Sequence, residues 1–390
     1  MVAYCKTECM EIIFKYLTIK PTTVLPSAKP TAIFSIAVFI FLFIPVSFAQ
    51  ESSIRLEKPR NIFFYPQLNL QGGYDTREPG SHWGLADRGA RTQLVLEWFV
   101  KDKAHQQRGF TQWIEPTSWN LKFAVEIDPQ EDNQDQFNIQ MRLLDTWVKL
   151  ATKWDRTHLW LGHKSIPYGH NPKLDPSHAF MPNQSELDLS FGRDTGLFLK
   201  TPVSQELDLE FSATLGKGDT WDHYGGWLLT GRVGSPTFKP NEFGMFALTG
   251  KIQNTRGTIN TDGNLTSVYR VGADWIHKHR ELWKATNQVS VGDNKPHESG
   301  DRFVLGIYNS LEWYLHPKWT AGITHNLRYE NLYGSDSSRQ TTGALLGTIS
   351  YTIGRDTRFR VNPFFEYQTP SDGHHSGVLF QLCFGCGLTR

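Results

Sequence analysis

Between Ser118 and Ile127 the chain reads SWNLKFAVEI, with large apolar residues at Trp119, Leu121, Phe123, Val125 and Ile127 and smaller or polar ones between them. Successive side chains of a strand point to opposite faces, so a period of two separates an apolar face from a polar one. The same alternation recurs along the chain. Leu207, Leu209, Phe211, Ala213 and Leu215 alternate with Asp208, Glu210, Ser212 and Thr214. Tyr269, Val271, Ala273 and Trp275 alternate with Arg270, Gly272 and Asp274, and Phe359, Val361, Phe365 and Tyr367 with Arg358, Arg360, Asn362 and Glu366. Such segments run roughly 9–11 residues, the reach of a tilted strand across a bilayer.

Reading on this basis predicts strands at 62–75, 90–100, 118–127, 137–152, 157–164, 194–202, 207–216, 225–234, 243–254, 266–276, 282–291, 302–315, 319–331, 341–353, 358–369 and 376–387, sixteen in all. Connections after even-numbered strands are short, as at 153–156, 203–206, 277–281, 316–318 and 354–357. Those after odd-numbered strands are longer, as at 76–89, 255–265, 292–301 and 332–340. The pattern holds for most connections, and the 17 residues of 101–117 break it most clearly. Short turns at one end and long loops at the other describe an all-β, transmembrane antiparallel β-barrel of about 16 strands. A soluble β-sandwich also alternates, but it solvates one face. Here the outward positions are large and apolar, and tryptophans 119, 160, 221, 227, 275, 283, 313 and 319 fall near strand ends, as in an interfacial girdle.

The one continuous apolar run, Ala32 to Val46, follows Lys29 and leads into Ser47, Phe48 and Ala49. A basic flank, an apolar core and a small-x-small end predict a cleaved signal peptide over 1–49, with residues before Met10 either a leader extension or upstream of the true start. A retained N-terminal anchor is the alternative. Residues 50–61 then form a short periplasmic segment and 62–390 the barrel. Lys6, Lys15, Lys20, Lys29, Glu8 and Glu11 leave with the leader, so 40 basic and 39 acidic residues become 36 and 37. That balance argues against a nucleic-acid-binding surface. Cys5 and Cys9 leave too. Cys383 and Cys386 remain, but residues three apart on a strand face opposite ways, which argues against a shared metal.

The longest connection, Ser165 to Arg193, covers 29 residues. It opens within LWLGHKSIPYGHNP (159–172) and closes within FGRDTGLFLKTPV (191–203), preceded upstream by LLDTWVKL (143–150). Gly162, Pro167, Tyr168 and Gly169, then Arg193, Asp194 and Gly196, resemble the half-motifs of the phosphate-selective porin O and P family. The resemblance covers about 60 residues strongly. It implies a sixteen-stranded outer-membrane channel, a homotrimer, with the long loop between the fifth and sixth strands folded into the lumen.

In such a channel no bond is broken, and no enzyme activity, cofactor or metal is expected. The work is done by fixed charges beside the permeant, where reduced water strengthens each one. The constriction candidates are Lys164, His170, Lys173, Asp175, Glu186, Asp188 and Arg193, with Pro167, Gly169, Asp194 and Gly196 shaping the loop and Asp194 reading as a loop-closing acceptor. The wall offers Lys122, Arg142, Lys200, Arg232, Arg270, Arg328, Arg358 and Arg360. Counting Lys164, nine inward basic residues face seven acidic ones: Glu97, Glu126, Asp208, Glu210, Asp274, Glu312 and Glu366. This near balance weakens the anion preference that the resemblance implies. The expected partners are outer-membrane lipid and small hydrophilic solutes or ions, phosphate among them. The competing reading is a non-conducting barrel, structural or adhesive, or a barrel lipid hydrolase using His374 and Ser376.

Overall fold

A computed structural model describes residues 62–76, 82–84, 92–100, 114–130, 133–152, 156–170, 189, 191–218, 225–236, 239–255, 258–259, 265–296, 300–333, 339–354, 357–369 and 373–385. Sixteen long strands carry the fold. They are β1 (Ile62–Asp75), β2 (Thr92–Val100), β3 (Ile114–Gln130), β4 (Asn133–Thr152), β5 (His158–Ser165), β6 (Arg193–Pro202), β7 (Asp208–Thr214) and β8 (Trp227–Gly234), followed by β9 (Asn241–Ile252), β10 (Thr266–His279), β11 (Trp283–Lys295), β12 (Arg302–His316), β13 (Trp319–Leu332), β14 (Arg339–Ile353), β15 (Thr357–Thr369) and β16 (Gly373–Phe384). Each neighbours the next in one sheet. The first strand then pairs antiparallel with the last, from Leu68 opposite Phe384 to Asp75 opposite Gly377, which closes the sheet into a barrel. The barrel lies in one compact unit, 53–128 with 139–390; residues 1–52 and 129–138 make up a second.

All sixteen expected strands are present, with shifted ends. β3 and β4 run to Gln130 and from Asn133, through a polar stretch that breaks the apolar alternation. Backbone pairing needs no apolar face, so a ladder can continue where the side-chain signal stops. His277 and His279 lie on the end of β10 rather than on a turn, opposite Ala285 and Trp283, and both rings pack on Trp283. Three short strands were not anticipated. His82–Gly84 adds to the end of β1, and Asn254–Thr255 pairs with Thr258–Ile259.

The two faces follow the period of two. Along β9 every odd residue from Asn241 is exposed and every even one buried, so Met245 is 72% exposed while Phe246 is 4%. Phe243, Tyr269, Ile349 and Phe365 are also exposed, whereas Arg232, Arg270, Asp274 and Asn362 are buried. Exposing the apolar set and burying the polar one reverses the arrangement of a protein in water, and suits a barrel whose outside meets lipid. Trp119, Trp275, Trp313 and Trp319 are exposed near the short-turn end, with Trp319 packed on Tyr351 at 4.7 Å. Trp160 departs from the expected girdle. It lies in the same inward register as Lys164 and packs against the apolar cluster inside the barrel.

Candidate constriction of the lumen

The long loop leaves β5 and returns to β6 through a paired neck. Ser165 is opposite Arg193, and the Ile166 N–H then donates to the Gly192 carbonyl at 3.2 Å. Beyond the neck, Ile166 and Tyr168 on the outgoing limb and Leu189 and Phe191 on the returning limb are buried. They form one cluster with Phe198 of β6, Leu228 of β8, Phe246, Leu248 and Ile252 of β9, and Val268 of β10. Tyr168 stacks tilted on Phe246 with centroids 4.6 Å apart. These barrel residues occupy the buried register of their strands, so the loop is seated on the inner wall. Each buried apolar loop side chain contributes about 2 kcal/mol to holding it there.

At the end of this limb the chain turns at Gly169, whose φ of 55° is left-handed, and a methyl group there would run into the Gln288 side chain. His170 follows, fully buried. Its N–H donates to Gln288 Oε1 at 3.0 Å, its Nε2 lies 2.7 Å from the Asn287 carbonyl, and its Nδ1 is 3.5 Å from Asp274 Oδ1. Asp274 in turn accepts two bonds from Arg232, from Nε at 2.8 Å and Nη2 at 2.7 Å. To reach from β8 to β10 the guanidinium crosses Gly244 of β9, where any side chain would collide with it. The resulting Arg232–Asp274–His170 latch joins the loop to the wall. A carboxylate held in two parallel bonds is a strong and directional partner.

The loop's second root is organised by Asp194, which is fully buried. Its carboxylate accepts from the N–H groups of Thr195 at 2.8 Å, Gly216 at 2.6 Å, Lys217 at 3.3 Å and Gly218 at 3.2 Å, and so ties the loop after β7 to the start of β6. Gly196 sits against Ala213 and Thr214 with no room for a side chain, and Pro167 is buried beside the cluster. Arg193, also buried, donates to Asp145 at 3.4 Å. Lys164 lies over the Trp160 ring at 5.3 Å and Phe198 at 5.8 Å, within the fields of two opposite-sign pairs, Arg193 with Asp145 and Lys200 with Glu210. Lys173, Asp175, Glu186 and Asp188 lie outside the described residues.

The wall basics are largely matched by acids. Lys200 is 2.8 Å from Glu210 and 3.5 Å from Asp208; Lys122 is 3.8 Å from Glu97; Arg142 is 3.2 Å from Glu126. Arg328 and Arg302 both engage Glu330, and Lys284 is 3.8 Å from Glu312. Arg270 donates from Nη1 to the carbonyls of Tyr269 and Asp293 and from Nη2 to Asn294 Oδ1. Arg358 and Arg360 share the inward face of β15; Arg360 points to Gln381 at 3.5 Å and lies in the field of Glu312. Lys284, Arg302 and Glu330 were absent from the expected set although their even positions on β11, β12 and β13 mark them inward. The role of Asp145 was not readable this way. Leu144 is buried in a lumen cluster while Val148 is exposed, so strict alternation fails between them.

His374 and Ser376 are both exposed at the start of β16. The His374 ring stacks on Phe365 at 5.9 Å, and no hydrogen bond joins the pair among the described residues. Nor do the described residues hold a group of three or more His, Cys, Asp or Glu able to bind a metal. Cys383 is buried and disulfide-bonded.

Compared with solved structures, the chain is similar to an anion-selective porin from Comamonas acidovorans, with a TM-score of 0.57 at 13% identity over 83% of this chain and 98% of that one. It is also similar to the trimer form of OmpT, an outer membrane protein of Vibrio cholerae, at 0.58, 9%, 83% and 98%. The outer membrane channel DcaP of Acinetobacter baumannii matches at 0.54, 12%, 83% and 96%. The chain has the porin fold. No family model and no curated protein sequence matches it.

Proposed function

We propose that this protein is a loop-constricted diffusion channel of the bacterial outer membrane. The observation that carries the reading is the seating of both described limbs of the 165–193 loop on the inner wall of a closed barrel with an apolar outside. Small hydrophilic solutes and ions, phosphate among them, pass by diffusion. Lys164, Lys173, Asp175, Glu186 and Asp188 border the narrowest part of the path, the buried His170 and Arg193 hold the loop there, and the wall basics line the remainder.

Export uses residues 1–49 as a cleaved signal peptide, 50–61 stay on the periplasmic side, and the protomers assemble as a homotrimer in outer-membrane lipid. The half-motifs around Gly162–Gly169 and Arg193–Gly196 favour membership of the phosphate-selective porin O and P family; the paired wall charges do not favour strong anion selection. Single-channel recording in planar bilayers tests the reading. Stepwise conductance is expected, with ion selectivity altered by Lys164→Glu or Arg193→Glu. Folded, heat-modifiable protein that gives no current steps would instead support a structural barrel or a hydrolase at His374 and Ser376.

A further inference from the structure

Resting on that channel reading, we infer that the preferred passengers are small uncharged hydroxylated solutes, polyols and short sugars, rather than ions of either sign. Two independent features of the lumen carry this.

The first is the pairing of its charges. Lys122 with Glu97, Arg142 with Glu126 and Lys284 with Glu312 are opposite-sign neighbours at 3.8, 3.2 and 3.8 Å. Such a pair presents a dipole, whose field falls with distance faster than that of a lone charge. A permeant ion gains from one end what it loses at the other, so it meets little to replace the hydration it sheds. A hydroxyl group is both donor and acceptor, and a cation beside a carboxylate offers it both partners at once.

The second is a wall of threonines. Thr320 and Thr324 on β13, and Thr342, Thr348 and Thr352 on β14, occupy inward register and are partly exposed. The apolar contacts of the described loop fall on β6 to β10 and its polar contacts reach β11, two strands short of β13 in the ring. Thr324 is tied to Ser310 and Thr348 to Asn362, each at 3.0 Å, which fixes neutral hydroxyls and an amide in place. A polyol can exchange water for this wall at a gain of about 0.5–1.5 kcal/mol per hydrogen bond, and the bonded hydroxyls of Thr324 and Thr348 carry no charge of their own, although Arg328 stands opposite Thr342 and Arg358 opposite Thr352.

The test uses the purified full chain in proteoliposomes and planar bilayers, with sorbitol and the size-matched anion gluconate as probes. Sorbitol influx is expected to exceed gluconate influx by about fivefold or more, with a potassium-to-chloride permeability ratio within about threefold of unity. Gluconate entering as fast as sorbitol, or strong selection for one sign of ion, would overturn the inference while leaving the channel intact. No influx of either probe and no current would remove the channel reading itself. Thr324→Val with Thr348→Val should lower sorbitol influx more than chloride conductance, and Glu312→Gln should move the reversal potential toward anions. If both variants match the parent in every reading, the assignment of this lining falls.

Discussion

His170, in the loop that follows the fifth strand, stands with its Nδ1 3.5 Å from a carboxylate oxygen of Asp274 on the tenth, both fully buried. This contact spans the inside of the barrel and fastens the loop far from its own root.

Both ring nitrogens of His170 face acceptors, the Asn287 carbonyl and Asp274, and only the imidazolium supplies two donors. The charged groups around it are Asp274 and, through Asp274, Arg232, with Glu242 beyond; Gln288 and Asn287 of β11 are neutral. His170→Phe removes both ring nitrogens, and with them the loop's side-chain contacts to Asp274 and the Asn287 carbonyl. Open-channel noise should rise as the loop loosens, and a variant as quiet as the parent would refute the latch.

Asp274→Asn leaves Arg232 buried without its charge partner. Breaking such a pair costs about 3–5 kcal/mol, whereas replacing both members by apolar groups costs far less. The urea midpoint in detergent should drop for Asp274→Asn and recover in part when Arg232→Met is added. Equal midpoints for parent and single variant would contradict this.

Tyr168→Ala removes a fully buried ring from beneath the loop, a class of change that costs about 3–5 kcal/mol. The strands do not depend on it. The loop should leave the wall, raising conductance and exposing 165–193 to added protease while the barrel stays heat-modifiable. An unchanged digestion pattern would show that the apolar underside does not hold the loop.

Glu210→Gln deprives Lys200 of its nearest carboxylate and keeps Asp208 at 3.5 Å. The reversal potential in a salt gradient should shift toward anions, and Lys200→Glu should shift it toward cations. A lumen indifferent to both would mean that this pair does not face the permeant.

The barrel was legible because lipid demands an apolar exterior, which imprints a period of two on nearly every strand. The signal weakens where that demand stops. β3 and β4 continue through polar residues near 130 because pairing alone sustains them, and Trp160 reads as a girdle residue although its register faces inward. The loop's neck could be read from its half-motifs, but its landing site could not. No periodicity connects His170 with Asp274 or Gln288. Their meeting depends on how far the outgoing limb reaches across a closed ring. The inward position of Gln288 was available from parity, yet its use as the anchor of Gly169 and His170 arises only when the loop is folded.

Leu68 to Asp75 of the first strand bond to Gly377 to Phe384 of the last, and Gln381 donates across the same seam to Asn69 at 3.0 Å. The first strand made waits for the last before either edge is covered. A fragment ending anywhere before residue 373 therefore keeps two open edges with unpaired N–H and C=O groups, each a template for joining another chain. Because the seam unites the two ends of the sequence, the entropy of closing nearly the whole chain falls on one late step. Until that step the partly built sheet needs shelter from its own kind.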